Sequence, residues 1–223
     1  MTTALSSAQN DLLERYLDLL LAANEHMNLT GITDRATAKV VHLADSLTLL
    51  EYLGPPPGKL ADIGSGGGVP GIPLAIARPD MQVVLIESTR KKAAFLDSAV
   101  AQLKLPNVRV LPQRAEEVAH GPRRESFDFV VVRAVAAMIW LAEWSLPLLK
   151  IGGKLLALKG PKSAGELPLP PRVLARLGGQ TPLVHPSGRS DFAGHVIIEI
   201  PKSTPSDPHL PRDPTKAKGK PLT

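Results

Sequence analysis

The sequence predicts an α/β fold built on a doubly wound, mainly parallel sheet. From residue 59 onward, short apolar runs alternate with helical stretches, and strands that alternate with helices pair in parallel. A glycine-rich loop, residues 64–68, follows the first of these runs, at the place where open α/β sheets bind ligands. The length of 223 residues and the apolar content of 43% suffice for one large domain with a small extension.

Two helices precede the sheet in this prediction. Residues 7–26 carry apolar side chains at helical spacing, and residues 34–53 repeat the pattern with Asp34 as the N-cap. The glycine- and proline-rich residues 54–58 then break the chain. We therefore predict a helical N-terminal extension, residues 1–56, packed on the core.

Seven strands and five helices follow in residues 57–200, which we predict to be the main domain. The strands are residues 60–63, 82–86, 108–111, 127–132, 154–158, 181–184 and 195–200. The helices are residues 70–77, 89–103, 114–118, 139–149 and 173–177. We expect the last two strands to close one edge of the sheet in antiparallel orientation.

The last segment, residues 201–223, is predicted to be a basic, proline-rich C-terminal tail. It holds six prolines and contributes +3 of the net charge of +5. Its basic residues are Lys202, Arg212, Lys216, Lys218 and Lys220. Because such a segment alone cannot bury enough apolar surface to offset its ordering entropy, we expect an extended arm whose partner is a polyanion. A solubilising tail is the alternative.

Composition excludes several kinds of site and of location. Without cysteine the chain has no disulfide scaffold, thiol nucleophile, zinc ribbon or iron–sulfur site, and no other set of metal ligands shows suitable spacing. No window approaches the ~18 apolar residues of a membrane helix, and the N-terminus has no secretory signal. We expect a cytoplasmic monomer with neither a metal nor a membrane partner.

The glycine loop is compatible with more than one ligand. A P-loop would end in Gly-Lys-Ser/Thr, and this loop continues with Val69-Pro70-Gly71 instead. A dinucleotide stays open, because Gly66-x-Gly68-x-x-Gly71 fits that pattern and Glu87 lies about twenty residues on. However, Pro70 and Pro73 remove amide donors that a pyrophosphate would need.

S-adenosylmethionine suits the same residues better, since it brings no phosphate. Its ammonium group suits the carboxylate that precedes the loop, Asp62, and its ribose hydroxyls suit Glu87 at the end of the second strand. Glycines such as Gly66 let a ligand approach the backbone without a Cβ clash. The alternatives are a turn cap for Asp62 and a solvated strand end for Glu87.

Several motifs, taken in order, resemble one protein family. They are Asn28-Leu29-Thr30, His42-x-x-Asp45-Ser46, the loop from Asp62 to Pro73, Ile86-Glu87-Ser88-x-x-Lys91-Lys92, Arg114-Ala115-Glu116-Glu117, Arg133-Ala134-Val135-Ala136 and Leu158-Lys159-Gly160. Together they resemble the bacterial 16S rRNA (guanine-N7) methyltransferase family, once called glucose-inhibited division protein B. The resemblance runs from about residue 10 to the C-terminus, and several motifs in register are more specific than one glycine loop.

The resemblance implies a Rossmann-like, seven-stranded fold that depends on S-adenosyl-L-methionine. It also implies methyl transfer to N7 of one guanine in a decoding-centre loop of 16S rRNA, with the small ribosomal subunit as partner. Carried over position by position, cofactor contacts come from Gly64, Val69, Ala115, Glu116 and Arg133.

The implied reaction needs positioning more than proton transfer. Guanine N7 offers a lone pair and carries no proton, so no general base is required. Recognition of guanine O6 and of nearby phosphates calls for Arg or Lys, and the candidates are Arg133, Lys159 and Lys91. The alternatives are a helix cap or a structural ion pair for Arg133 and a solvated position for Lys91, on a helix face, and for Lys159. His42 and Asp45 share a helix face, and either line the cofactor site or form a structural pair.

Two other functions remain open on the sequence alone. A methyltransferase of the same fold could act on a small molecule or a protein, although the basic tail and the Arg90-Lys91-Lys92 run argue against this. A non-catalytic RNA-binding or assembly factor would bind no cofactor, whereas the set of Asp62, the glycine loop, Glu87 and Glu116 predicts binding.

Overall fold

The computed structural model describes residues 5–55, 57–133, 136–187, 194–217 and 219–223. The chain forms two compact units, Met1–Pro112 and Gln113–Thr223. The predicted boundaries at residues 56 and 200 stay predictions. Ala134, Val135 and Lys218, which belong to predicted motifs or to the tail, lie outside the described residues. Within the described ranges, no helix has the length and apolarity that a bilayer crossing requires.

The first unit opens with helices. Helix α1 (Ser7–Met27) begins at a capping box in which Ser6 and Gln9 bond each other's backbone amides. A second helical stretch is capped by Asp34, whose Oδ2 accepts from Thr37 N at 2.7 Å, as expected. This stretch is not one α-helix. It runs through α2 (Arg35–Ala38), a π-helical turn (Lys39–Ala44), α3 (Asp45–Leu47) and a 3₁₀ turn (Thr48–Tyr52).

Three parallel strands complete the first unit. The elements in order are β1 (Gly58–Ile63), α4 (Gly71–Ala77), β2 (Met81–Ile86), α5 (Arg90–Leu103) and β3 (Val108–Leu111). Strand β2 pairs in parallel with both β1 and β3. The apolar face of α1 packs on α4 and α5, so the N-terminal helix is part of this unit's core.

The second unit carries the rest of the sheet. Its elements are α6 (Ala115–Ala119), β4 (Phe127–Arg133), α7 (Met138–Ser145), β5 (Leu149–Lys159), α8 (Pro171–Leu177), β6 (Leu183–Pro186), β7 (Val196–Pro201) and α9 (Pro214–Ala217). Strands β4 and β5 are parallel, whereas β7 is antiparallel to both β5 and β6. The strand order β3-β2-β1-β4-β5-β7-β6 confirms the predicted seven-stranded Rossmann-like fold with an antiparallel edge.

The predicted boundaries around the start of β5 are wrong in the second unit. The helix expected over residues 139–149 ends at Ser145, a 3₁₀ turn (Leu146–Leu148) follows, and Leu149 already begins β5. Leu149 pairs with Phe127, and the register shifts before Phe129 pairs with Lys154. The strand therefore begins at Leu149, five residues before the predicted start at residue 154.

The tail is not the extended arm that its composition predicts. The guanidinium of Arg124 donates to the carbonyls of Ser206, Asp207 and Leu210 at 2.7–3.1 Å, and Leu210 and Leu222 are buried. The expectation failed because it considered residues 201–223 alone, whereas their carbonyls and charges find partners elsewhere in the second unit. Lys202 and Arg212, which counted toward the polyanion-binding charge, form ion pairs with Glu125 and Glu143.

Candidate functional site

The glycine loop of the first unit exposes only the residues that were predicted to meet a cofactor. Between residues 62 and 71, Gly64 is exposed, Gly66 and Val69 are half-buried, and all others are buried. Gly64 and Gly66 have φ of 67° and 54°, in the left-handed region that favours glycine. A Cβ built on Gly66 would meet only Gly64 O, at 3.8 Å, so the space beside this residue is open. The loop therefore offers backbone surface to a ligand.

Asp62, the next-to-last residue of β1, is enclosed behind this loop. It has no exposed surface, and its Oδ2 accepts from Gly71 N at 3.0 Å, where α4 begins. A Cβ on Gly71 would lie 2.3 Å from Leu85 and 2.6 Å from that carboxylate oxygen, so only glycine fits. The structure thus gives Asp62 the turn-cap role that the sequence left open. Its contact with the ammonium group of a cofactor stays a prediction.

Glu87 ties the end of β2 to the loop. Its Oε2 accepts from Gly66 N at 2.9 Å and its Oε1 from Thr89 N at 2.7 Å, and the residue is 6% exposed. A carboxylate oxygen can accept two hydrogen bonds, so each oxygen of Glu87 can still accept one from a ligand hydroxyl. Glu87 therefore fixes the conformation of the loop, and its contact with a ribose stays a prediction.

Tyr16 supports the loop from behind, a role that the sequence did not reveal. Its hydroxyl donates to Gly67 O at 2.7 Å, and the side chain is fully buried on α1. A Cβ on Gly67 would lie 2.6 Å from Leu20, also on α1, and 3.5 Å from Leu29. The apolar periodicity of α1 identified both residues as core, but no pattern indicated what they would contact.

Tyr16→Phe should lower the free energy of unfolding by about 1–2 kcal/mol, because it leaves the buried carbonyl of Gly67 without its donor. Chemical denaturation of wild type and variant measures this difference. An unchanged free energy of unfolding in Tyr16→Phe would contradict a stabilising role for the Tyr16 hydroxyl.

The motifs around Thr30 and His42 meet in the first unit. Thr30 Oγ1 lies 2.9 Å from His42 Nε2 and accepts from Ile32 N, and Thr30 N donates to Asn24 on α1. His42 is 2% exposed and lies in the π-helical turn. Leu29 of the same motif faces Gly67, so these two motifs build a support for the glycine loop.

Lys91 lies in the first turn of α5, four residues after Glu87. Lys91 and Arg90 are exposed and Lys92 is half-buried. Positive charges at a helix N-terminus oppose the helix dipole, so this placement costs stability. A nearby anion would offset that cost. The phosphate contact of Lys91 stays a prediction, with a solvated helix face as the alternative.

In the second unit, Arg133 and Lys159 end two adjacent parallel strands. Arg133 is the last residue of β4 and pairs in register with Leu158, next to Lys159 at the end of β5. Arg133 is half-buried, whereas Lys159 is 9% exposed and forms an ion pair with Glu166. Ala115 and Glu116 open α6 and are buried. The cofactor and RNA contacts of these four residues stay predictions.

Comparison of the sequence with known proteins gives one consistent match. A family model described as rRNA small subunit methyltransferase G matches residues 9–189. The protein named Ribosomal RNA small subunit methyltransferase G of Moorella thermoacetica is 42% identical over 98% of this chain and 92% of its own length. The protein of the same name from Sorangium cellulosum is 47% identical over 72% of this chain and 68% of its own.

Solved structures show the same fold at low sequence identity. A SAM-dependent methyltransferase from Aquifex aeolicus superposes with a TM-score of 0.53 at 16% identity, over 73% of this chain and 90% of that one. A ribosomal protein L11 methylase from Lactobacillus delbrueckii gives 0.54 at 15% identity, over 78% of this chain and 81% of that one. At this identity the likeness concerns the fold alone.

Proposed function

We propose that this chain, which belongs to the rRNA small subunit methyltransferase G family, methylates N7 of one guanine in 16S rRNA with S-adenosylmethionine as the methyl donor. The observation that carries the proposal is the glycine loop, which exposes Gly64, Gly66 and Val69 and is tied to Glu87. We propose further that the enzyme acts as a monomer.

The loop residues fit the proposed cofactor because they combine open backbone with carboxylate oxygens that can accept hydrogen bonds. Open backbone at Gly66 accepts a close ligand, and Glu87 presents carboxylate oxygens to hydroxyl groups beside it. When bound, S-adenosylmethionine supplies an electrophilic methyl group on a sulfonium. The prolines that deprive this loop of amide donors do not matter for such a ligand, because it has no phosphate to bind.

The protein's contribution to catalysis is to hold the acceptor. Since guanine N7 has a lone pair and no proton, no side chain needs to remove one, and alignment of the two reactants lowers the barrier. We propose that Arg133 contacts the guanine, as arginine does at O6, and that Lys91 contacts phosphate. Both lie at carboxyl ends of parallel strands or just after them, where open α/β sheets bind ligands.

Transfer of labelled methyl groups tests this function directly. Small subunits and naked 16S rRNA, both lacking their native methylation, are incubated with enzyme and labelled S-adenosylmethionine, and the RNA is then cleaved at N7-methylguanine. A single cleavage site is expected. Cofactor binding without incorporation would show another substrate on the same fold, and no cofactor binding would show a non-catalytic factor.

Arg133→Ala should reduce methyl transfer at least about tenfold, about 1.4 kcal/mol, the scale of one lost charge-assisted contact. The measurement is kcat/KM for the RNA, with cofactor affinity by calorimetry and the unfolding midpoint as controls for a damaged fold. Near-normal turnover of a folded variant would remove Arg133 from the site.

A further inference from the structure

An ion pair between a buried lysine and a half-buried glutamate lies beyond the end of β4. Lys159 Nζ donates to Ala136 O at 2.8 Å and lies 2.7 Å from a carboxylate oxygen of Glu166. The same carboxylate accepts from Met138 N, the first amide of α7, at 2.6 Å. We call these four groups the Lys159 latch: the ammonium of Lys159, the carboxylate of Glu166, the carbonyl of Ala136 and the amide of Met138.

The latch holds Ala136 and the first amide of α7, both of which lie close to Arg133 along the chain. Arg133 ends β4, and the latch fixes the chain at residues 136 and 138, only three and five residues later. Both β4 and β5 end here, and the carboxyl ends of parallel strands are where such sheets bind ligands. Because Ala136 is only three residues beyond Arg133 in the chain, we expect a shift of Ala136 to change the position of Arg133.

The ammonium of Lys159 is engaged inside the protein. The side chain is only 8% exposed, and a charge so far out of water needs the compensation that Glu166 and Ala136 provide. The carboxylate of Glu166 reaches the first amide of α7, where the helix dipole also favours a negative charge. A lysine held in this way cannot also reach a phosphate without leaving its partner.

We propose that Glu166 is a positioning residue for methyl transfer, and that Lys159 acts with it through the latch and does not contact the RNA. The inference deepens the proposed function and rests on it, since the latch matters through its effect on Arg133. It replaces the sequence-based candidacy of Lys159 as a residue that touches the guanine or a phosphate.

A double-mutant cycle tests the latch. Glu166→Gln keeps the shape of the side chain and removes the charge, and Lys159→Met keeps the length and removes the ammonium. Each single variant should lower kcat at least about tenfold and leave KM for the RNA within about twofold. The double variant should lose no more than either single one, because both substitutions break the same contact. Independent, multiplying losses would overturn the proposal.

Salt dependence separates positioning from RNA contact. Lys159→Met should leave the slope of RNA affinity against salt unchanged, whereas Lys91→Met, at the proposed phosphate contact, should reduce it by about one. A reduced slope for Lys159→Met would overturn the proposal. Asp128→Asn is the matched control, since it breaks the exposed Lys150–Asp128 pair on the same two strands and should keep full activity.

The outcome is readable even if the proposed function fails. If wild-type enzyme does not methylate the RNA, the proposed function fails before any variant is compared. If wild type is active and both latch variants retain full kcat while remaining folded, the latch inference alone fails.

Discussion

Gly71→Ala will disable the glycine loop, although it adds only one methyl group. The new Cβ would lie 2.3 Å from Leu85 Cδ2, 2.6 Å from Asp62 Oδ2 and 3.0 Å from Asp62 Cβ. Both neighbours are fully buried, so neither has space to retreat. The expected cost is about 1–3 kcal/mol of folding free energy from overpacking, and the Gly71–Asp62 hydrogen bond is displaced.

Gly71→Ala should also weaken cofactor binding at least about tenfold, or 1.4 kcal/mol. The reason is that the positions of Gly64, Gly66 and Val69 depend on the turn that Gly71 closes. Calorimetry with S-adenosylmethionine measures this loss, and denaturant unfolding measures the stability. Gly31→Ala is the matched control in the same unit, since a Cβ there has no atom within 4 Å. If Gly71→Ala binds the cofactor as Gly31→Ala does, the loop is not the binding site.

The sequence predicted the fold correctly because the patterns that indicate helices and strands are local. Apolar runs, helix spacing and the N-cap at Asp34 depend on neighbouring residues only, and the structure confirms the elements they predicted. The π-helical turn at Lys39–Ala44 was missed, because one extra residue in a turn barely alters the apolar spacing. The composition of residues 201–223 gave a wrong prediction because composition describes a segment alone and not the residues that it contacts in the folded chain.

For the site, the sequence identified residues but not what they contact. Asp62 and Glu87 were found from their positions beside the loop, yet their hydrogen bonds to Gly71 and Gly66 depend on how the loop folds back. Tyr16 contacts Gly67, fifty-one residues away, and no spacing rule reaches that far. Glu166 lies in a proline- and glycine-rich stretch with no helical or strand pattern, so no sequence pattern predicted the latch.

Lys202 shows how the tail is held, and its loss is the second large effect that we expect. Its side chain has no exposed surface, and Nζ contacts Glu125 at 2.7 Å, Leu146 O at 2.8 Å and Ser206 Oγ at 3.0 Å. Burial lowers the pKa of Lys202, and Glu125 opposes that shift. Burial alone would raise the pKa of Glu125, but hydrogen bonds from Lys202 and Ser206 N hold it below its usual value.

Lys202→Met should therefore cost about 3 kcal/mol at neutral pH. That is the lower end for breaking a buried pair, because Glu125 keeps 31% of its side-chain surface in water. The matched control is Lys150→Met, whose pair with Asp128 is 46% and 33% exposed and should contribute less than about 1 kcal/mol. Denaturant unfolding of both variants against wild type gives the two values.

The pH dependence of that cost identifies its cause. The folded pKa of Glu125 lies below the unfolded 4.5, so its contribution to stability is full above pH 4.5 and is lost as pH falls through the folded pKa. Without the ammonium of Lys202, burial should raise the folded pKa of Glu125 above its unfolded value, so the ionised carboxylate destabilises the variant at neutral pH and acid relieves that cost. The difference in free energy of unfolding between wild type and Lys202→Met should consequently narrow as the pH falls, first through the raised pKa of the variant and then through the lowered pKa of wild type. A gap that stays constant with pH would mean that lost packing, and not the ion pair with Glu125, holds the tail in place.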